Sequence, residues 1–140
     1  MILFKNGLII LDYNPAHDIL SVELPDMHEL TLPEVRRSFQ IIVENLHNFD
    51  IQYLLIDSSK ALVEIEDEDY QAVIAQFGKD LLQTRLKMFA RVGGSRPAQE
   101  ERAARVSKQV IEEYKLPFQF RIFTHKAEAY DWLINREVKV

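Results

Sequence analysis

Residues 31–56 read TLPEVRRSFQIIVENLHNFDIQYLLI, and the fold follows from a change of period inside them. Thr31-Leu32-Pro33-Glu34 is a capping box: the Thr31 side chain can accept from the Glu34 backbone while Glu34 reaches back to Thr31. Leu32, Val35, Phe39, Ile42, Leu46 and Phe49 then recur at steps of three and four, which predicts an amphipathic helix with those residues inward. Ile51 to Ile56 is apolar except for Gln52, the pattern of a strand covered on both faces. A capped helix running directly into such a strand is half of a parallel crossover unit.

Downstream the alternation repeats. Asp67 to Leu82 predicts a helix with Tyr70, Val73, Ile74, Phe77 and Leu81 inward, and Arg85 to Val92 a strand. Pro97 to Tyr114 predicts a helix with Ala103, Val106, Val110 and Tyr114 on one stripe. Phe118 to Phe123 is a strand set apart by Pro117, and Lys126 to Ile134 a last helix anchored by Tyr130 and Leu133. Upstream, Leu8 to Tyr13, the turn Asn14-Pro15-Ala16-His17-Asp18 and the alternating run Ile19 to Leu24 read as an antiparallel hairpin. Ile2 to Phe4 adds an edge piece before Asn6-Gly7. The expected class is α/β in one domain over residues 1–140: a mixed sheet, antiparallel at the start and parallel afterwards, with four helices packed on it.

Composition bounds the function. With 17 basic and 22 acidic residues the net charge is −5, so the electrostatic footprint of a general nucleic-acid binder is missing. No apolar stretch approaches the ~20 residues of a membrane span. The start, Met1 to Gly7, lacks the features of a secretory signal, and the chain has no cysteine. A cytoplasmic location is the expectation. Thiolate metal sites and cysteine nucleophiles are excluded.

In open sheets of this class ligands gather beyond the carboxyl ends of the parallel strands. Three loops lie there: Asp57-Ser58-Ser59-Lys60, Gly93-Gly94-Ser95-Arg96 and Thr124-His125. Gly93 and Gly94 let backbone approach closely. Ser95 or Arg96 precedes a helix that starts at Pro97, and Arg91 and Arg96 add positive charge, as an anion site would need. The competing reading is an ordinary strand-to-helix connection, followed by an exposed helix laced with Glu100, Glu101, Arg102 and Arg105 pairs. The candidate ligand-binding residues are therefore Asp57, Ser58, Ser59, Arg91, Gly93, Gly94, Ser95, Arg96 and His125.

Catalytic and metal sets are harder to find. The acidic run Glu64, Glu66, Asp67, Glu68, Asp69 falls where a helix begins, which its dipole explains without a metal. His17, His28, His47 and His125 include no pair at helical metal-site spacing. Ser58, Ser59 or Ser95 with His125 as base would make a hydrolase, yet there is no Gly-x-Ser-x-Gly elbow, phosphate loop or dinucleotide fingerprint. The reading is no enzyme, no cofactor and no metal. Phe118, Phe120, Phe123 and Trp132 read as one aromatic cluster in the core.

The closing segment, Phe120-Arg121-Ile122-Phe123-Thr124-His125-Lys126-Ala127-Glu128-Ala129-Tyr130-Asp131-Trp132-Leu133, together with Met88-Phe89-Ala90-Arg91-Val92, resembles the STAS domain of anti-sigma factor antagonists and its STAS/CRAL-TRIO-like relatives. The likeness spans nearly the whole chain through core-packing patterns, which specify a fold better than an activity. It implies a regulatory or protein-interaction module, with a protein partner or a second copy forming a homodimer. Its CRAL-TRIO side implies instead a carrier or sensor of an anionic or lipidic small molecule. Antagonists of that family carry Asp-Ser-Ser-Gly with a phosphorylated serine. Here Asp57-Ser58-Ser59 is followed by Lys60 and directly ends a strand, which favours a local turn.

Overall fold

The computed structural model describes residues 1–26 and 30–138. Each period in the sequence becomes one element: β1 (Ile2–Lys5), β2 (Ile10–Asn14), β3 (Ile19–Glu23), α1 (Leu32–Asn48), β4 (Tyr53–Asp57), α2 (Asp67–Leu81), β5 (Met88–Val92), α3 (Pro97–Tyr114), β6 (Gln119–Phe123) and α4 (Lys126–Ile134), with a closing 3-10 turn Asn135–Val138. The strands form one mixed sheet in the order β1-β2-β3-β4-β5-β6. β1, β2 and β3 pair antiparallel; β3, β4, β5 and β6 pair parallel.

That order decides where the helices go. Each crossover steps one strand in the same direction, so crossovers of one handedness must all fall on one face. Accordingly α1, α2 and α3 bury Ile42, Leu46, Val73, Phe77, Val106 and Val110 against the sheet side that presents Leu20, Leu54, Ile56 and Phe89. The other side presents Ile19, Leu55, Met88, Ala90 and Val92, and it receives Ala129 and Leu133 of α4. β4 is thus covered on both faces, with Leu54 and Leu55 fully buried on opposite sides.

Local chemistry sets the ends of the elements. The capping box forms: Glu34 Oε1 accepts from the Thr31 N–H at 3.0 Å, and Thr31 Oγ1 accepts from the Glu34 N–H at 3.4 Å. α3 closes with Lys115 in the left-handed region, φ 50°, and Pro117 follows two residues on. Strand starts move by two residues or more from the sequence reading in three places. Leu8–Tyr13 becomes Ile10–Asn14, because Asn6 Oδ1 accepts from the N–H groups of Leu8 and Ile9 at 2.7 and 2.8 Å and holds them in the turn. Ile51–Ile56 becomes Tyr53–Asp57, because the Ile51 N–H is spent on the Leu46 carbonyl at the end of α1. Arg85–Val92 starts at Met88, because Thr84 turns the chain, its hydroxyl donating to the Leu81 carbonyl and accepting from the Leu86 N–H.

Two side-chain expectations are also corrected. Phe49 does not face inward: it caps α1 and is 54% exposed, since Asp50 reverses the chain at φ 51°. The aromatic cluster is two clusters. Phe118 and Phe120 lie 6.3 and 5.0 Å from Phe89 on the three-helix face, while Phe123 packs on Trp132 at 5.6 Å on the α4 face. Residues an odd number apart in a strand point to opposite sides.

The hairpin is fastened to the parallel part by Asp18, itself left-handed at φ 56°. Its Oδ1 accepts from the Tyr13 hydroxyl at 2.7 Å and its Oδ2 from the Gln52 N–H at 3.1 Å. Burial, reinforced by this carboxylate, pushes the Tyr13 phenol up to about 12. Asp18→Ala removes both bonds and is expected to cost about 2–3 kcal/mol of unfolding free energy. Urea titration measures it, and a loss below about 0.5 kcal/mol would show the clamp to be unimportant.

Candidate functional site

The carboxyl ends of β3 to β6 share one edge, and the three loops singled out in the sequence meet there. The Ser58 N–H donates to the Val92 carbonyl at 2.9 Å, and the Gly93 N–H to the Phe123 carbonyl at 2.8 Å. The backbone of Gly94 lies against that of Ser59, so that a Cβ on Gly94 would come within 2.7 Å of the Ser59 carbonyl oxygen. Gly94 is there for close approach of two loops.

The Gly93–Arg96 loop is already occupied by an anion from the chain itself. Arg91 points from β5 into the three-helix face and is paired with Glu100 of α3, at 2.7 Å from Nη1 and 3.2 Å from Nη2. The two side chains are 13% and 22% exposed. The Gly94 N–H also favours the charged form of this carboxylate. A Cβ on Gly93 would run into Glu100, so Gly93 makes room for the pair. Burial works to raise the Glu100 carboxyl, but the Arg91 hydrogen bonds and charge, with the Gly94 N–H, outweigh it and hold the group below its ordinary value of 4.5.

The other residues proposed from sequence are distributed less favourably. Ser58 is buried and its hydroxyl donates to the Val92 carbonyl at 2.9 Å. Ser59 is exposed; its hydroxyl and N–H both donate to Asp57 Oδ1, at 2.6 and 3.0 Å, which makes Asp57-Ser58-Ser59 a local turn. Ser95 is exposed, and Arg96 is the N-cap of α3 with no side-chain capping bond. His125 is the exposed N-cap of α4, also without a capping bond. His17 lies in the hairpin turn with Nδ1 buried and unpartnered, and His47 is exposed near the end of α1. His28 lies outside the described residues. Among the described residues no group of three or more His, Asp or Glu could hold a metal ion, and no helix is long and apolar enough to cross a membrane.

Directly below Arg91 is a cavity of about 90 Å³. Its walls are mostly apolar: Phe39 and Val73 from the helices, Ile56 and Phe89 from the sheet, Val63 and Ile65 from the loop after β4. Arg91, Tyr70, Ser58 and Ser107 are the polar side chains at its surface. Burial raises the Tyr70 phenol, against the opposing charges of Arg91 and Arg102. A smaller void of about 30 Å³ continues along the α2–α3 seam and shares Ile74, Phe77, Phe89, Ser107 and Phe120 with the first.

Residues 58–66 form the roof, held mainly by polar side chains of α3. Gln99 Nε2 donates to the Ala61 carbonyl at 2.8 Å, and Gln99 Oε1 accepts from the Val63 N–H at 3.0 Å, so one amide imitates a strand neighbour. Arg102 donates to the carbonyls of Ile65 and Val63 at 2.8 and 3.0 Å, pairs with Asp67 at 3.0 Å and lies over the Tyr70 ring at 4.3 Å. The sequence reading placed Glu100 and Arg102 on an exposed, salt-bridged helix face. Only Arg105 and Glu101 pair in that way, at 3.1 Å. The signal missed was the polar stripe Gln99, Glu100, Arg102 at the amino end of α3, opposite a loop with many backbone groups to satisfy.

Two outcomes follow. Glu100→Gln should cost about 1–3 kcal/mol near neutral pH, because Arg91 loses its charged partner. A depressed carboxyl contributes stability that is complete above its unfolded pKa and is lost as pH falls through the folded one. The difference between parent and variant in urea should therefore shrink between about pH 7 and about pH 3, and an unchanged difference would contradict this role. Arg102→Ala should speed amide exchange at Val63 by about tenfold or more while leaving Leu54 unaffected, since the roof opens locally. Comparison with protein-family models, with curated proteins and with solved structures finds no match to this chain.

Proposed function

We propose that this chain is a non-enzymatic binding protein, a sensor or carrier that takes a small apolar molecule beneath residues 58–66. The observation that carries the reading is the position of the cavity: it is lined largely by apolar side chains, carries a few convergent polar groups, and lies where ligands of open α/β sheets collect. The roof supports it further. A segment tied down by Gln99 and Arg102 side chains can open without unpacking the sheet. Its resemblance to STAS/CRAL-TRIO-like proteins points the same way. The commitment of the Ser58 hydroxyl to a backbone carbonyl argues against a serine nucleophile at that position.

A second reading, a STAS-like module that binds a protein or a second copy of itself, is favoured by one observation. Ser59 stands exposed on a turn that shares Asp-Ser-Ser, without the glycine, with the antagonists' serine motif. A chain that remains monomeric by light scattering and carries no phosphate in its intact mass would remove the support for it.

The first reading is tested by methyl NMR with 1-hexanol. Saturable shifts are expected at Val63, Ile65 and Ile74, around the cavity, and none at Leu133 on the opposite face of the sheet. Ser107→Leu fills the void, and it should abolish the shifts while leaving the protein as stable or more so. Shifts that do not saturate, or that survive Ser107→Leu, would defeat the proposal.

A further inference from the structure

Arg91 is the one charged side chain among the described residues that line the cavity. A cation in an apolar wall is costly unless it is paired and hydrogen-bonded. Glu100 supplies the pairing from outside: it does not line the cavity, and it reaches Arg91 across the space left by Gly93. It engages one N–H each on Nη1 and Nη2. A guanidinium carries five N–H donors in a planar fork. The remaining three make no hydrogen bond to a described residue, and no Arg91 nitrogen is both buried and unpartnered. The apolar cavity therefore ends at a cation held by one internal carboxylate and still open to a further acceptor.

Glu100 is also well placed to leave. Its side chain is still 22% exposed and it sits in the first turn of α3, where the helix dipole favours an anion even without Arg91. Exchanging one carboxylate for another keeps Arg91 paired at every end state. A neutral apolar guest cannot make that exchange, and a cationic guest would meet like charge.

Resting on the reading of the cavity as a ligand site, we propose that its ligand is a short apolar monocarboxylic acid. The acid's carboxylate takes the place of Glu100 on Arg91, and its chain lies over Phe89 towards the α2–α3 seam. Size sets the class. At roughly 30 Å³ for a methylene- or water-sized group, the 90 Å³ cavity and the adjoining 30 Å³ void hold about four such groups. Hexanoate, with five carbons beyond its carboxylate, is one group longer than that and marks the upper end of the class; a long-chain fatty acid does not fit without wider opening of the roof. Binding frees the Glu100 carboxylate into solvent beside Gly94, so the acid changes charge at the surface of the same loop cluster.

The test compares hexanoate with 1-hexanol on the full chain and on Glu100→Gln. In the parent protein hexanoate should shift the Arg91 Nε–H resonance and 1-hexanol should not. Glu100→Gln removes the competitor, and hexanoate should then bind about tenfold tighter while 1-hexanol binding is unchanged. Hexanoate should also raise the melting temperature of Glu100→Gln more than that of the parent. Equal effects of the two ligands on both proteins would overturn the acid proposal and leave the apolar cavity standing. If neither ligand binds, both readings fall. Should Glu100→Gln fail to fold, the Arg91 Nε–H response of the parent alone decides, its absence on saturation with hexanoate counting against the proposal.

Discussion

A half-buried arginine on an inner parallel strand needs a carboxylate, and this edge of the molecule supplies one. Arg91 shares a face of β5 with Phe89, under three helices. Its partner has to come from the next element in the chain, so α3 starts close enough for Glu100 to reach back. Two consecutive glycines make the space: Gly93 beneath the ion pair and Gly94 against the neighbouring loop. Once α3 is placed, Gln99 and Arg102 flank Glu100 on the helix and tie down the roof. Cavity, roof and glycine loop all meet at this one ion pair.

Fold class was legible because period carries it. The steps of three and four after Thr31 and the unbroken apolar run at Leu54–Ile56 leave few arrangements open, and helix limits at Pro97 and Lys126 agree with their sequence signals. Strand limits were less legible. They depend on a few hydrogen bonds made by the Asn6 and Thr84 side chains and on the use of the Ile51 N–H, which apolar patterning does not encode. The aromatic cluster was misread for a simpler reason. Phe120 and Phe123 are an odd number of residues apart, so parity alone sends them to opposite sides of β6.

That the three loops would meet at one edge was legible; the internal carboxylate among them was not. The rule for open sheets singled out that edge as a candidate, and there Arg91, Gly93 and Gly94 surround Glu100. Glu100 filling the anion position was invisible because a glutamate in the first helical turn already has a sufficient local explanation in the helix dipole. Tyr70 and Ser107 were hidden in the same way, one within an apolar stripe and the other within a polar helix. A stronger clue lay in the strand. An arginine inside Met88-Phe89-Ala90-Arg91-Val92 is largely withdrawn from solvent on a doubly covered strand, and the search for its partner leads to α3.

Strand order has a consequence for how the chain comes into being. Every strand lies beside the one that precedes it in sequence, so no segment waits for a distant one to close a ladder. The average loop closed by a contact is short for a sheet with parallel strands, and the entropy lost before each contact is correspondingly small. A chain emerging amino terminus first can add one strand-helix unit after another to a growing edge. Only α4, which crosses to the opposite face, must find a surface made by several earlier strands. Synthesis and assembly can therefore run in the same direction, with α4 covering the opposite face of the sheet once β6 is in place.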